Sequence, residues 1–177
     1  LEKALARMPI FANAGIKRII NGAIPHTPDG NPLVGPMPGV PNAWACCGSS
    51  IGIAQGAGCG KFLAQWMIHG DAEINMASVD PRRFGAWADQ DYTRAKSFDD
   101  YHNMFETPLP GREVGAGRPS RVTPLYEILK AKGAVMTEVH GWERPKYFAP
   151  ADFVEKLQFR RTNTFNLVAA ECRAVRE

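Results

Sequence analysis

The sequence predicts an α+β chain: a strand, glycine-rich turn and helix unit, followed by a smaller mixed α/β region. Three observations carry that assignment. Five glycines occupy the fourteen positions from Gly48 to Lys61, and the run continues into an apolar segment ending at His69 and Gly70. Ala43 to Cys47 just before it is short and apolar, the pattern of a buried strand. After Gly70 the composition becomes polar, and a compact helix pattern at 123–133 is followed by an alternating stretch at 134–139.

Taken in order, Leu1, Leu5 and Met8 share one helical face, and Pro9 ends that helix. The isoleucine-rich segment from Gly15 to Ala23 reads as a strand. Ile24 to Pro41 carries six prolines, with Pro28-Asp-Gly-Asn31 as a turn and Leu33-Val34 as a strand stub. Leu63, Trp66 and Met67 recur at i, i+3, i+4, a buried face for the helix that Gly70 stops. Asp80 and Pro81 read as N-cap and first residue of a helix. Residues 86–105 read as a polar helix with Trp87, Tyr92, Phe98, Tyr101 and Phe105 on its aromatic side. Thr123, Pro124 and Gly133 frame a helix, 134–139 a strand, and 140–148 has no period. Residues 159–164 form a polar link, and 166–177 begin a last helix.

The chain has 177 residues, 45% hydrophobic and 22% charged, with a net charge of +3. These are the values of a globular protein. There is no basic run to indicate nucleic acid and no apolar stretch long enough to span a membrane. Cys46, Cys47, Cys59 and Cys172 lack metal-ligand spacing and are expected to be buried reduced thiols of a cytosolic protein. The first residue is Leu1, and residues 166–177 run in a helical pattern up to Glu177, so a piece of a longer polypeptide is expected.

The glycine-rich turn carries the strongest chemical signal. A strand–turn–helix unit aims unpaired backbone N–H groups and the positive end of a helix dipole at one point. Negative charge or carbonyl oxygen suits that point. The competing use is packing, with Gly56 and Gly60 letting the helix approach a sheet. The spacing matches neither G-x-G-x-x-G nor G-x-x-x-x-G-K-[ST]. His26, His69, His102 and His140 form no metal spacing, and Asp99, Asp100 and His102 read as a solvated helix face. Trp142-Glu-Arg144 reads as packing between layers. No complete acid, base or nucleophile set is legible, so the catalytic residues are unknown at this point.

Four separated pieces resemble one family. Thr27-Pro-Asp-Gly-Asn-Pro-Leu-Val-Gly-Pro36, the run from Cys47 to Lys61, Asp80-Pro-Arg-Arg-Phe84, and Arg118 to Tyr126 with Gly141-Trp-Glu-Arg-Pro145 and Phe159-Arg-Arg-Thr-Asn163 stand in the order found in dimethylglycine and sarcosine dehydrogenases of the D-amino-acid oxidase superfamily. The resemblance implies three parts: residues 1–80 as the tail of an FAD domain, 81–150 as a middle domain, and 151–177 as the start of an aminomethyltransferase-like folate-binding domain. It implies that Ser49, Ser50, Ile51, Gly52, Ile53 and Ala54 contact the isoalloxazine of FAD, with N–H groups near N1 and the C2 carbonyl. Reduction places negative charge at that edge, which a helix N-terminus stabilises. Some related simple amine oxidases carry a lysine at the position of Ala54, so that mode of holding a substrate carboxylate is not expected here.

The family further implies oxidation of an N-methyl amino acid, sarcosine or dimethylglycine. The electrons pass through FAD to an electron-transfer flavoprotein or oxygen, and the one-carbon unit passes to tetrahydrofolate. Its location would be cytoplasmic, or the mitochondrial matrix in a eukaryote. The dinucleotide motif of the family lies upstream of Leu1, so the segment by itself is expected to be inactive. The alternatives are a non-catalytic interaction or structural module built from the oxidoreductase tail and, behind it, a folate-dependent aminomethyltransferase.

Overall fold

The computed structural model describes residues 2–177. It contains five α-helices and two antiparallel β-hairpins, in keeping with the α+β expectation. The first helix, α1, spans Glu2–Arg7, and a 3₁₀ turn at Pro9–Asn13 follows. Leu5 and Met8 fall within this region, whereas Leu1 lies outside the described residues.

The expected strand from Gly15 to Ala23 is absent. That stretch has no regular structure, and Ile16, Ile19 and Ile20 are 65%, 84% and 77% exposed. A β-branched run becomes a strand only when a neighbour supplies ladder hydrogen bonds and a packing face. Among the described residues nothing pairs with it.

β1 (Leu33–Pro36) and β2 (Trp44–Cys47) pair antiparallel, with Leu33 opposite Cys47 and Pro36 opposite Trp44. Val34 is fully buried, 1% exposed, and its N–H donates to Val79 O along the other edge of β1. β2 is less buried than its composition predicts: Cys46 and Cys47 are exposed. Cys172 is also exposed and Cys59 half-buried, so the expected buried thiols are free cysteines at or near the surface. The two-stranded ribbon has an open face, which an apolar composition does not reveal.

α2 spans Gly52–His69 and ends at Gly70 in the left-handed conformation, as the sequence indicates. It docks on the hairpin through Trp66, whose ring meets Trp44 edge to face at 5.9 Å. A side chain at Gly35 would lie 2.7 Å from Trp66 Cζ3, so the strand is open at that point for the ring. Leu63 and Trp66 are half-buried, but Met67 is 52% exposed and no residue of α2 is fully buried.

The Asp80–Pro81 cap forms, with Asp80 accepting from Arg82 N–H, but it opens only a 3₁₀ turn at Pro81–Arg83. α3 is correspondingly shorter than the predicted 86–105 helix, spanning Gln90–Asn103 with Asp89 as its N-cap. Its inner face is polar. Tyr92 and Lys96 are buried there, whereas Phe98 and Phe105 are 75% and 86% exposed. The aromatic side holds for Trp87 and Tyr92, which meet edge to face, but not for Phe98, Tyr101 and Phe105, because the Lys96 ion pair shares the inward face with Tyr92.

α4 (Tyr126–Ala131) lies inside the predicted 123–133 unit, and Thr123 O accepts from Tyr126 N–H just before it. β3 (Ala134–Val139) then pairs with β4 (Trp142–Phe148), the stretch that shows no period in the sequence. His140 and Gly141, at φ 50° and 80°, make the two-residue connection. Positive φ at both central positions is the turn that suits a twisted hairpin. A register shift between Val135 and Met136 lets Pro145 sit in β4, where its missing N–H would otherwise break the ladder. α5 spans Phe165–Arg176.

The chain exposes 13234 Å². A compact monomer of its mass exposes about 8,500 Å². Among the described residues, prolines aside, the buried apolar side chains are few: Val34, Met76, Tyr92, Tyr126 and Tyr147. Among the described residues no helix is long and apolar enough to cross a membrane.

Candidate functional site

The site is the turn from Gly48 to Ile51 and the first turn of α2. Gly48 adopts φ 70°, and a Cβ there would fall 2.8 Å from Thr27 Cγ2. Glycine is therefore required for both reasons at once: the left-handed backbone and the close approach to the preceding loop. Ser49 Oγ donates to Gln55 Oε1 at 2.7 Å, which ties the turn to the second turn of the helix.

No side chain caps α2. Ile51 occupies the N-cap position and has no acceptor atom to offer, and the local backbone bonds begin with Ala54 and Gln55 N–H, both to Ile51 O. The N–H groups ahead of them are the unpaired donors of a helix N-terminus. There is no acidic residue in the first turn either. The helix end thus keeps its donors and its positive potential for something else.

Ser50, Ile51, Gly52, Ile53 and Ala54 line an open hollow of about 520 Å³. Ile53 is fully exposed and Ile51 is 49% exposed. Of the six expected contact residues, five are brought together, while the hydroxyl of Ser49 is turned back to Gln55. Among the described residues, a side chain on Gly52, Gly56 or Gly60 would meet nothing within 4 Å.

A second hollow, of about 410 Å³, lies between the Asp29 loop, α3 and β3. Its carboxylates and Lys96 are paired. Asp29 pairs with Arg83, Asp100 with His26 Nε2 at 2.7 Å, and Glu138 with Lys96. Burial and the Glu138 hydrogen bond together push the Tyr92 hydroxyl well above the ordinary phenol range. It donates to Glu138 Oε1 at 2.7 Å.

The solvated-face reading of Asp99, Asp100 and His102 is corrected in part. Asp99 accepts from Ala116 N–H and Asn103 Nδ2, Asp100 holds His26, and only His102 is exposed, stacked on Phe98. The His26–Asp100 pair joins residues 74 apart, and sequence spacing holds no signal for it. Trp142 and Glu143 pack inward, whereas Arg144 is exposed. Arg121 stacks over Trp142, and Glu143, 3% exposed, accepts a two-pronged bond from Arg118 at 2.8 and 2.7 Å. No group of three metal-ligating side chains occurs among the described residues.

Comparison with known proteins supplies the family. Residues 1–66 match the family described as FAD dependent oxidoreductase, and residues 69–123 match the FAD dependent oxidoreductase central domain. The chain belongs to the FAD-dependent oxidoreductases. It is 38% identical to the mitochondrial dimethylglycine dehydrogenase of Mus musculus over 178 residues, 99% of this chain and 20% of that protein. It is 37% identical to the mitochondrial sarcosine dehydrogenase of Mus musculus, over 90% of this chain and 18% of the relative. It is 34% identical to the formaldehyde-forming 4-methylaminobutanoate oxidase of Paenarthrobacter nicotinovorans, over 99% of this chain and 22% of the relative. The chain therefore spans about a fifth of the length of these curated relatives. The glycine-rich turn lies inside the segment matched to the first family, and the Asp80 exit and α3 lie inside the second.

Proposed function

We propose that this chain is the segment of a longer FAD-dependent enzyme that receives the pyrimidine edge of the flavin, and that the enzyme oxidatively demethylates an N-methylated glycine, dimethylglycine or sarcosine. The carrying observation is the uncapped N-terminus of α2, open over a hollow of about 520 Å³. The donor set fits the group: unpaired N–H groups suit carbonyl oxygen and developing negative charge, and the Ile51 and Ile53 side chains offer apolar surface to a flat ring.

In this reading Ser50 to Ala54 hold the flavin, and Gly48 and Ser49 set the turn. When bound, FAD would supply a two-electron acceptor for the hydride lost as the N-methyl carbon becomes an iminium. The backbone N–H groups of the helix start are fixed before the reaction, so they stabilise the added charge without reorganising. They act as donors only and move no proton. The catalytic acid and base belong outside this segment. The iminium carbon would pass to tetrahydrofolate in a domain that begins near residue 151, after a middle domain at 81–150 and a flavin-domain tail at 1–80. The electron acceptor would be an electron-transfer flavoprotein or oxygen, and the site of action the mitochondrial matrix in a eukaryote. The three relatives, all named for oxidation of N-methylated or closely related amines, support the substrate class.

The test is anaerobic mixing of the full-length protein with dimethylglycine, sarcosine or 4-methylaminobutanoate. Bleaching of the flavin by one of the two glycines supports the proposal, and formaldehyde release that falls when tetrahydrofolate is added supports the folate step. A full-length protein that binds no flavin, or whose flavin none of these amines reduces, returns the segment to the non-catalytic reading.

A further inference from the structure

One charged residue outside the hollow is wired into it. Arg83 belongs to the exit segment after α2, yet its side chain is only 4% exposed. Its Nε donates to Asp29 Oδ2 at 2.7 Å and its Nη2 to Asp29 Oδ1 at 2.9 Å. Nη2 also donates to Asn31 O at 2.9 Å, and Nη1 to Asp80 O at 3.1 Å. The planar fork therefore clamps three points of the loop–exit junction, which an ammonium group cannot do.

The clamped loop is the one that touches the glycine-rich turn. Asp29 Oδ1 accepts from Asn31 N–H at 3.1 Å and from Thr27 Oγ1 at 3.2 Å, and Thr27 Oγ1 also donates to Asn31 O at 2.7 Å. Thr27 is 6% exposed, and its Cγ2 methyl is the atom that faces Gly48. A continuous set of contacts thus runs from Arg83 through Asp29 and Thr27 to Gly48, and from there to the start of α2. The neighbouring Arg82 makes a contrast: its side chain is 55% exposed and pairs with Asp80 at the surface.

We infer that Arg83 is a positioning residue for the flavin-facing turn, acting through Asp29 and the Thr27 methyl group rather than by touching the cofactor. The inference rests on the flavin reading above. Arg83 fixes the height of Gly48 over the loop and so the aim of the N–H groups at the α2 N-terminus. A cofactor held by aligned donors loses affinity and electron affinity when those donors tilt.

The experiment uses the full-length protein with Arg83→Lys, Thr27→Ser, the pair combined, and Arg82→Ala. Arg83→Lys keeps the charge and loses the fork; Thr27→Ser keeps the hydroxyl and loses only the methyl that faces Gly48. FAD dissociation constant and flavin midpoint potential are read alongside far-ultraviolet circular dichroism. The expected result is FAD binding about tenfold weaker for each single variant, one aligned donor's worth, with a lowered potential and an unchanged dichroism spectrum. The combined variant should be no worse than either single one, because both act through one set of contacts, and Arg82→Ala should match wild type. Wild-type affinity and potential in both Arg83→Lys and Thr27→Ser would overturn the inference, as would an equal loss in Arg82→Ala. A wild-type protein that binds no FAD would instead overturn the flavin reading itself.

Discussion

Replacing Lys96 by Met should loosen α3 severely, while replacing Lys96 and Glu138 together should loosen it little. Lys96 Nζ lies 2.5 Å from Glu138 Oε2, and the two side chains are 6% and 10% exposed. The approach is an ion pair and not an aligned hydrogen bond. Nζ also donates to Val114 O at 2.8 Å, and Tyr92 supplies the hydrogen bond to Glu138. At an effective dielectric constant near 20, the attraction at this separation is about 6–7 kcal/mol. Desolvation of two ions costs about several kcal/mol each and cancels most of it. The net worth of the intact pair is therefore small. Removing one member is another matter, since it strands a buried charge, at a cost of about 3–5 kcal/mol. The Tyr92 hydroxyl still solvates Glu138 in Lys96→Met, so the low end, about 3 kcal/mol, is expected. The sparse core makes the full-length protein the right sample, and a long chain does not unfold in one step. Amide hydrogen exchange of α3 and β3 reads the local opening free energy directly. Lys96→Met and Glu138→Gln should each speed exchange in α3 by about two orders of magnitude, and Lys96→Met/Glu138→Leu should restore most of the protection. Single variants within about 0.5 kcal/mol of wild type, or a double variant as poor as the singles, would refute the reasoning.

Burial, with the charge of Glu155 and its hydrogen bond, pushes the Tyr147 hydroxyl up to about 12 from an unfolded value of 10.0. The folded value is raised, so the stability it contributes is complete below pH 10.0 and is lost as pH climbs toward about 12. Tyr147→Phe should delete one tyrosine from the step near pH 12 of an ultraviolet titration, ahead of the still later Tyr92; an unchanged step there would contradict the assignment. Gly141→Ala forces a side chain into the Trp87 ring at φ 80° and should cost about 2–3 kcal/mol in hairpin protection. Gly39→Ala, at φ 72° with nothing within 4 Å, should cost about 1 kcal/mol. Equal costs would mean that backbone conformation alone, and not the ring, sets the penalty.

What the sequence makes legible depends on range. The stop of α2 at Gly70 is written in local residues, as are the Asp80–Pro81 cap, β1, β3 and α5, and all appear close to where they are expected. The isoleucines at 16, 19 and 20 do not form a strand because strand formation needs a neighbour, and no local pattern specifies one. β4 was hidden by Pro145 and by charged residues at 143, 144 and 146, though His140-Gly141 held the hairpin signal. The inward face of α3 escapes notice because Lys96 reads as solvent-facing until Glu138 is brought beside it. At the site, the glycine turn and the uncapped helix start were readable from Gly48 to Ala54. The orientation of Ser49 and the link from Arg83 were not, because the first needs Gln55 and the second joins residues 54 apart.

Whether the free N–H groups at the start of α2 belong to the flavin is tested most directly by Ile51→Asp. Aspartate at the N-cap supplies the missing acceptor and an anionic group next to the positive helix end, stabilising α2 by about 1 kcal/mol. The same carboxylate occupies the donors and sets negative charge where the reduced flavin carries its own. In the full-length protein the variant should therefore melt no lower than wild type when stripped of flavin, yet bind FAD more weakly and with a lower midpoint potential. A variant with a better-capped helix and unchanged flavin affinity and potential would show that the donors face something other than the cofactor.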